Sequence, residues 1–168
     1  MTNGVFRFPN PVNEKVARTV AALVVVLTVV ILVWPSPWLL AGLALGFWLR
    51  VLFGPRVSPF AVLASRVIAP RLGAPRLVPG PPKRFAQGIG AALSTAALVA
   101  FLLGATTAAT VLVLMITAAA FLESAFAICL GCLIFGRLQR IGVIPVSVCE
   151  ACNDIRLRRV EGPATVTR

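Results

Sequence analysis

Four hydrophobic runs, separated by short turns or longer polar stretches, set the pattern of this 168-residue chain. They cover about residues 16–34, 38–53, 85–104 and 108–132. At ~1.5 Å per residue, helices of these lengths cross most or all of a ~30 Å hydrocarbon core. Few charged residues interrupt the runs, which is typical of transmembrane helices. The pattern therefore predicts an all-α membrane protein with four transmembrane helices.

The stretch between the second and third runs, residues 54–84, is rich in Arg and Lys and contains no acidic residue. Ser58 and Pro59 provide an N-cap and a first helical position. Apolar residues then recur at helical spacing, at Phe60, Leu63, Val67 and Ile68. We predict a short amphipathic helix, Pro59 to Ala69, that lies on the membrane surface.

The basic residues are distributed unevenly, and their distribution predicts the orientation of the chain. The net charge is +11, and all 16 Lys and Arg except Arg50 lie in the amino-terminal segment, in or next to the 54–84 loop, or in the carboxyl-terminal tail. Because cytoplasmic loops are enriched in Lys and Arg, both termini and this loop are predicted to face the cytoplasm. Membrane topology explains the charge better than nucleic-acid binding does, so no nucleic-acid partner is predicted.

The composition indicates one membrane domain and no separate soluble domain, because 59% of the residues are hydrophobic. This domain is assigned to residues 1–160, with a cytoplasmic tail at 133–160 and a disordered end at 161–168. In the third run a small residue recurs every four positions, at Gly88, Ala92, Ala96, Ala100 and Gly104. Such a stripe predicts close packing against the fourth helix or against a second copy in a homo-oligomer.

Glu123 is the acidic residue within the hydrophobic runs, and Arg50 lies near the end of the second run. A charge inside the membrane is costly and therefore usually faces the interior of a helix bundle. Because the second and fourth helices descend to the same side, we expect an intramembrane contact between Glu123 and Arg50. This pair either fixes the packing of the two helices or makes Glu123 a proton carrier.

All four cysteines occur in two CxxC pairs, Cys129/Cys132 and Cys149/Cys152, with sixteen residues between the pairs. The chain has no His and no Tyr. Their absence excludes His-ligated metals, Ser-His-Asp triads and quinone sites that rely on His or Tyr. Any proton, metal or electron chemistry therefore depends on Cys, Glu, Asp, Lys or Arg, and the cysteines are the leading candidates.

Two uses of the cysteines remain open from the sequence. The spacing is that of a four-cysteine zinc site, in which Cys129, Cys132, Cys149 and Cys152 would be the ligands. The same residues are equally suited to reversible thiol chemistry, because CxxC pairs and nearby arginines favour the thiolate. An iron–sulfur cluster would also take four thiolates, but the spacing does not select it.

Five stretches of the chain match a known family: N-P-V-N at 10–13, G-P-R-V-S-P-F at 54–60, P-G-P-P-K-R-F-A-Q at 79–87, F-L-E-S-A-F at 121–126, and C-L-G-C with the later CxxC. With these motifs the chain resembles the bacterial membrane family DUF4395, a domain of unknown function. The resemblance implies a bacterial cytoplasmic membrane. Members often lie beside, or are fused to, thioredoxin-like and rhodanese-like proteins, which implies thiol or sulfur traffic.

The leading expectation is a membrane dithiol protein that passes electrons or sulfur to a cytoplasmic thioredoxin-like or rhodanese-like partner. In this account Cys149/Cys152 meet the partner, Cys129/Cys132 lie at the membrane edge, and Glu123 carries the proton. Two alternatives belong to other classes: a non-enzymatic scaffold whose tail is held by zinc, and a small transporter of sulfur species or metal ions. The sequence leaves open whether the protein is an enzyme.

Overall fold

The computed structural model describes residues 12–54, 76–145 and 148. In this part of the chain there are five helices: α1 (Glu14–Val33), α2 (Pro37–Phe53), α3 (Gly80–Leu102), α4 (Thr106–Phe126) and α5 (Leu130–Arg140). By length and composition α1, α3 and α4 are suited to cross a membrane. α2 is also apolar but shorter, with 17 residues. The prediction of a helical membrane protein is thereby confirmed for three helices.

Local sequence explains where these helices begin. The Asn13 side chain caps α1 by accepting a hydrogen bond from the backbone N–H of Lys15, at 3.0 Å. Proline occupies the first turn of both α2 and α3, where its missing N–H costs nothing. α3 begins at Gly80, about five residues before the predicted span, so Lys83 and Arg84 are helical residues rather than loop residues.

A short antiparallel pairing joins the start of α1 to the segment before α3. Strand β1 (Val12–Asn13) pairs with strand β2 (Leu77–Val78), with Val12 opposite Val78. The Glu14 carboxylate also forms a salt bridge with Arg76, at 3.0 Å. These contacts hold the amino ends of α1 and α3 together at one end of the bundle.

The core of the bundle lies where α2 packs on α3 and where α4 packs on both α1 and α3. The buried face of α3 carries Ala91, Ser94 and Ala97. The predicted small-residue stripe lies outside this core, because Ala92 and Ala96 are exposed. In the described part of the chain it does not make a close contact with α4, and its packing against a second copy stays a prediction. The close approach occurs instead at Gly90, where an added Cβ would lie 2.2 Å from the Phe47 ring.

The fourth hydrophobic run is divided, which the sequence pattern did not predict. α4 ends at Phe126, Ala127 takes a left-handed backbone conformation with φ of 59°, and α5 begins at Leu130. Two carbonyls in the last turn of α4 are nevertheless satisfied by the backbone that follows. Ala127 and Ile128 donate their N–H groups to Glu123 and Leu122, respectively. The run predicted as one span at 108–132 is therefore two helices.

Some predicted features lie outside the described residues. They are the interfacial helix at Pro59 to Ala69, the second cysteine pair Cys149/Cys152, and the disordered end at 161–168.

Candidate functional site: a dithiol at the charged end of the bundle

Two arginines donate hydrogen bonds to backbone carbonyls at helix ends. These bonds connect four helices at one end of the bundle. The Arg18 guanidinium on α1 donates to the Ser124 carbonyl, at 2.9 and 3.2 Å, and to that of Ala125, at 3.1 Å. The Arg84 Nε on α3 donates to the Val51 carbonyl of α2, at 3.1 Å. Cations are favoured at these helix ends by the unpaired carbonyls and the helix dipole. The carboxyl ends of α2 and α4 therefore lie beside the amino ends of α1 and α3.

Cys129 is the N-cap of α5, directly after the break that ends α4. Its sulfur accepts a hydrogen bond from the Cys132 backbone N–H, at 3.3 Å. Neither cysteine forms a disulfide within the described residues; Cys129 is 8% exposed and Cys132 is partly buried. A helix amino terminus favours negative charge, so this CxxC turn is suited to hold a thiolate at its first position.

The two thiols are electrostatically unequal. Hydrogen bonding from Cys132 and the positive charge of Lys83 lower the pKa of Cys129, although burial and the Glu123 carboxylate oppose them. The same hydrogen bond and burial raise the pKa of Cys132. Of the two thiols, Cys129 therefore loses its proton more readily, and Cys132 holds its proton more tightly.

α5 is held against α3 by a close contact. A Cβ on Gly131 would lie 2.5 Å from the Cβ and 2.6 Å from the Cα of Ala86, so only glycine fits there. One turn further along, the rings of Phe85 and Phe135 meet edge to face, with centroids 5.6 Å apart. These contacts fix the CxxC turn beside the first turns of α3.

Glu123 forms its ion pair with Lys83 of α3, through Nζ and Oε1. Both side chains are largely buried, at 14% and 11% exposed. The predicted contact of Glu123 with Arg50 is not among the ion pairs of the described residues. The reason is the early start of α3, which brings Lys83 to the end of α4.

Arg50 is 3% exposed, and its guanidinium stacks on the Phe47 ring, 4.4 Å from the ring centroid. Within the described part of the chain, neither its Nε nor its Nη1 has a hydrogen-bond acceptor. The Oε1 of Gln87, also buried, has no donor there. Buried donors without acceptors are costly, so the Nε and Nη1 of Arg50 are groups that a bound acceptor would satisfy.

Several of the polar side chains described above line one cavity of about 230 Å³. Its polar lining consists of Arg50, Gln87, Glu123 and Cys129. Most of the remaining wall is apolar and comes from all five helices. The structure thus brings together three of the residues predicted to be functional, although Arg50 and Glu123 are not paired.

Sequence reasoning missed Lys83 and Gln87 as site residues. The sequence does contain a signal for them, because both belong to the P-K-R-F-A-Q stretch, and the prolines just before it are typical of a helix start. Cys149 and Cys152 lie outside the described residues. Among the residues that are described, no group of three or more Cys, Asp or Glu could hold a metal ion.

A family model described as "Domain of unknown function (DUF4395)" matches residues 12–140. The matched region contains all five helices together with Cys129 and Cys132. Comparison with curated proteins and with solved structures gives no match.

Proposed function

The chain belongs to the DUF4395 family, and we propose that it is a membrane dithiol protein that exchanges electrons with a cytoplasmic thioredoxin-like protein. The observation that carries this proposal is the position of Cys129 at the N-cap of α5. There its sulfur accepts the Cys132 N–H, and its pKa lies below the ordinary value. This arrangement suits nucleophilic attack on a disulfide.

The proposed reaction is a thiol–disulfide exchange. The Cys129 thiolate attacks one sulfur of a partner disulfide, which forms a mixed disulfide and releases one partner thiol. Cys132 then attacks the Cys129 sulfur and closes the Cys129–Cys132 disulfide. The second partner thiol leaves, so two electrons and two protons pass to the partner. The reverse sequence reduces the membrane dithiol again.

The proposed membrane arrangement has four spans, with α2 completing the set. At ~1.5 Å per residue its 17 residues reach about 26 Å, close to the thickness of the hydrocarbon core. The basic residues Arg18, Lys83 and Arg84 lie at the dithiol end. Trp34 and Trp38 are exposed at the opposite end, as is typical of a membrane interface. These features support a cytoplasmic dithiol end and both termini in the cytoplasm of a bacterial inner membrane.

Cys149 and Cys152 have a place in this proposal as a second pair, which exchanges electrons with the Cys129/Cys132 pair after the partner has reacted at Cys129. The chain between Arg140 and Cys149 is short, so the two pairs are near one another in sequence. In this account Glu123 moves the proton, because its carboxylate lines the same cavity as Cys129.

A trapping experiment tests the exchange. A Cys132→Ser variant leaves Cys129 without its resolving thiol, so a mixed disulfide with the partner should accumulate in cells. Non-reducing electrophoresis and mass spectrometry would identify a thioredoxin-like protein attached through Cys129. A rhodanese-like protein, or a persulfide on Cys129, would instead indicate sulfur transfer.

The matched control is the reciprocal variant. Cys129→Ser removes the nucleophile and keeps Cys132 in place, so it should trap much less of the same partner. Equal trapping by both variants, or none by either in folded protein, would contradict a role for Cys129 as the nucleophile.

A further inference from the structure

We propose that the cavity beside Cys129 binds a membrane quinone, which oxidises the Cys129/Cys132 dithiol. This inference rests on the dithiol function proposed above and names the redox partner on its membrane side. Three independent observations carry it: the opening of the cavity, the chemistry of its wall, and the state of Arg50.

The cavity opens toward lipid. Three residues of its wall, Met115, Leu130 and Ile134, are also exposed on the outside of the bundle, at 53%, 40% and 46%. Met115 lies eight residues before Glu123 on α4, which places it ~12 Å deeper along the helix axis. In the proposed membrane arrangement these exposed wall residues of α4 and α5 reach the hydrocarbon region, so a ligand can enter the cavity from the bilayer.

The wall is suited to an apolar ring with a polar edge. Val20, Val24, Leu93 and Ile116 are among the side chains that line it away from the charged end. Arg50 also lines it, and the Arg50 Nε and Nη1 donors lack acceptors in the described part of the chain. A quinone carbonyl accepts from such donors without bringing a charge into the membrane. The Arg50 cation then stabilises the negative charge that develops on this oxygen during reduction.

The reaction balances without another reactant. Oxidation of the dithiol breaks two S–H bonds, forms the S–S bond and releases two electrons and two protons. One quinone takes up both electrons and both protons and becomes the quinol. Arg50 thereby supplies the binding contact that His or Tyr would otherwise provide, and this chain has neither.

The test uses reduced full-length protein in nanodiscs and ubiquinone-1 as the probe. Ultraviolet absorbance follows quinol formation, and peptide mass spectrometry follows the Cys129–Cys132 disulfide. The wild-type protein should produce one quinol per disulfide. Arg50→Met should raise the KM for the quinone about tenfold to a hundredfold, the range expected for loss of a charged hydrogen bond. The matched control is Arg137→Met, because Arg137 is an exposed cation of α5 that lies outside the cavity wall, and its KM should stay within about twofold.

Two further measurements separate the possible failures. Ala119→Phe narrows the cavity without removing a charge, so it should also raise the quinone KM while leaving oxidation by soluble glutathione disulfide unchanged. Disulfide formation with glutathione disulfide but not with the quinone would overturn this inference and leave the dithiol function intact. A third outcome concerns the alkylation of Cys129. If thiosulfate protects Cys129 from alkylation and the quinone does not, the cavity is an anion site and the quinone inference is overturned. Failure of every oxidant to form the disulfide would overturn both proposals.

Discussion

Cys129 receives opposing influences from Lys83 and Glu123, although these two residues are paired with each other. The Lys83 charge lowers the pKa of Cys129, and the Glu123 charge raises it. The hydrogen bond from Cys132 is the largest influence and also lowers it. Each charge can be removed separately, so the two variants should move the reactivity of this thiol in opposite directions.

A Lys83→Gln variant should raise the pKa of Cys129, because the thiolate loses a nearby positive charge. The rate of alkylation by iodoacetamide follows the thiolate fraction, so its rise with pH should shift to higher pH than in the wild-type protein. Arg137→Gln is the matched control, since Arg137 is an exposed cation on α5 that does not influence Cys129. A profile that moves equally in both variants would indicate a general effect of net charge.

A Glu123→Gln variant should shift the same alkylation profile to lower pH, because the remaining Lys83 charge then acts on Cys129 unopposed. The variant should also lose stability, since a buried ion pair loses one partner and costs about 3–5 kcal/mol. Thermal unfolding in detergent would measure the second effect. Full stability together with an unchanged profile would contradict the role assigned to this pair.

The sequence predicts Cys129, Cys132, Glu123 and Arg50 as site residues because cysteine pairs and charges in apolar runs are conspicuous. It did not identify the partner of Glu123. Hydrophobicity begins at Phe85, but the proline-rich start of α3 extends the helix back to Gly80 and includes Lys83. A pattern based on apolar residues therefore misses a charged first turn.

At the scale of the helices, the break between α4 and α5 positions the site. It turns a continuous apolar run into a helix end followed by a helix start, and the N-cap of the new helix is Cys129. The sequence does not reveal this break, because the carbonyls of Ser124 and Ala125 are satisfied by Arg18, which lies over 100 residues earlier in the chain. Only the packed structure brings that capping group into place.

Replacement of Gly131 tests whether the contact between α5 and α3 positions the dithiol. A Gly131→Ala variant places a Cβ against the backbone of Ala86 and should destabilise the protein by about 1–3 kcal/mol through overpacking. Gly136→Ala is the matched control, because nothing lies within 4 Å of its added Cβ. The control should be neutral or slightly stabilising, by up to about 1 kcal/mol. Equal melting temperatures for the two variants would contradict the close packing.

For the whole molecule, the charged end and the tryptophan end predict the orientation. A reporter that is active only outside the cytoplasm should give no signal when fused after Arg168, at the carboxyl terminus. The same reporter should be active when fused after Gly104, in the turn between α3 and α4. A signal from the Arg168 fusion would contradict the predicted orientation. No signal from either fusion would contradict the assignment of α3 as a transmembrane helix.

Most of the architecture follows from the hydrophobic runs, because a bilayer requires long apolar helices whatever their partners. The arrangement within the bundle does not follow from them. Small residues occur on several faces of α3, so the sequence does not show which of them makes the close contact with another helix. In the structure Gly90 makes this contact, against Phe47. The cavity likewise depends on all five helices together, so no single stretch of sequence predicts it.

The most direct test of the account is a redox titration of purified protein whose metal content is measured on the same sample. The disulfide between Cys129 and Cys132 should form and open reversibly as a two-electron couple. Its potential should lie between about −270 and −120 mV, the range of thioredoxin-like dithiols, with no bound metal. One zinc per chain with both thiols protected from oxidation would contradict the dithiol account and make the cysteines a structural metal site.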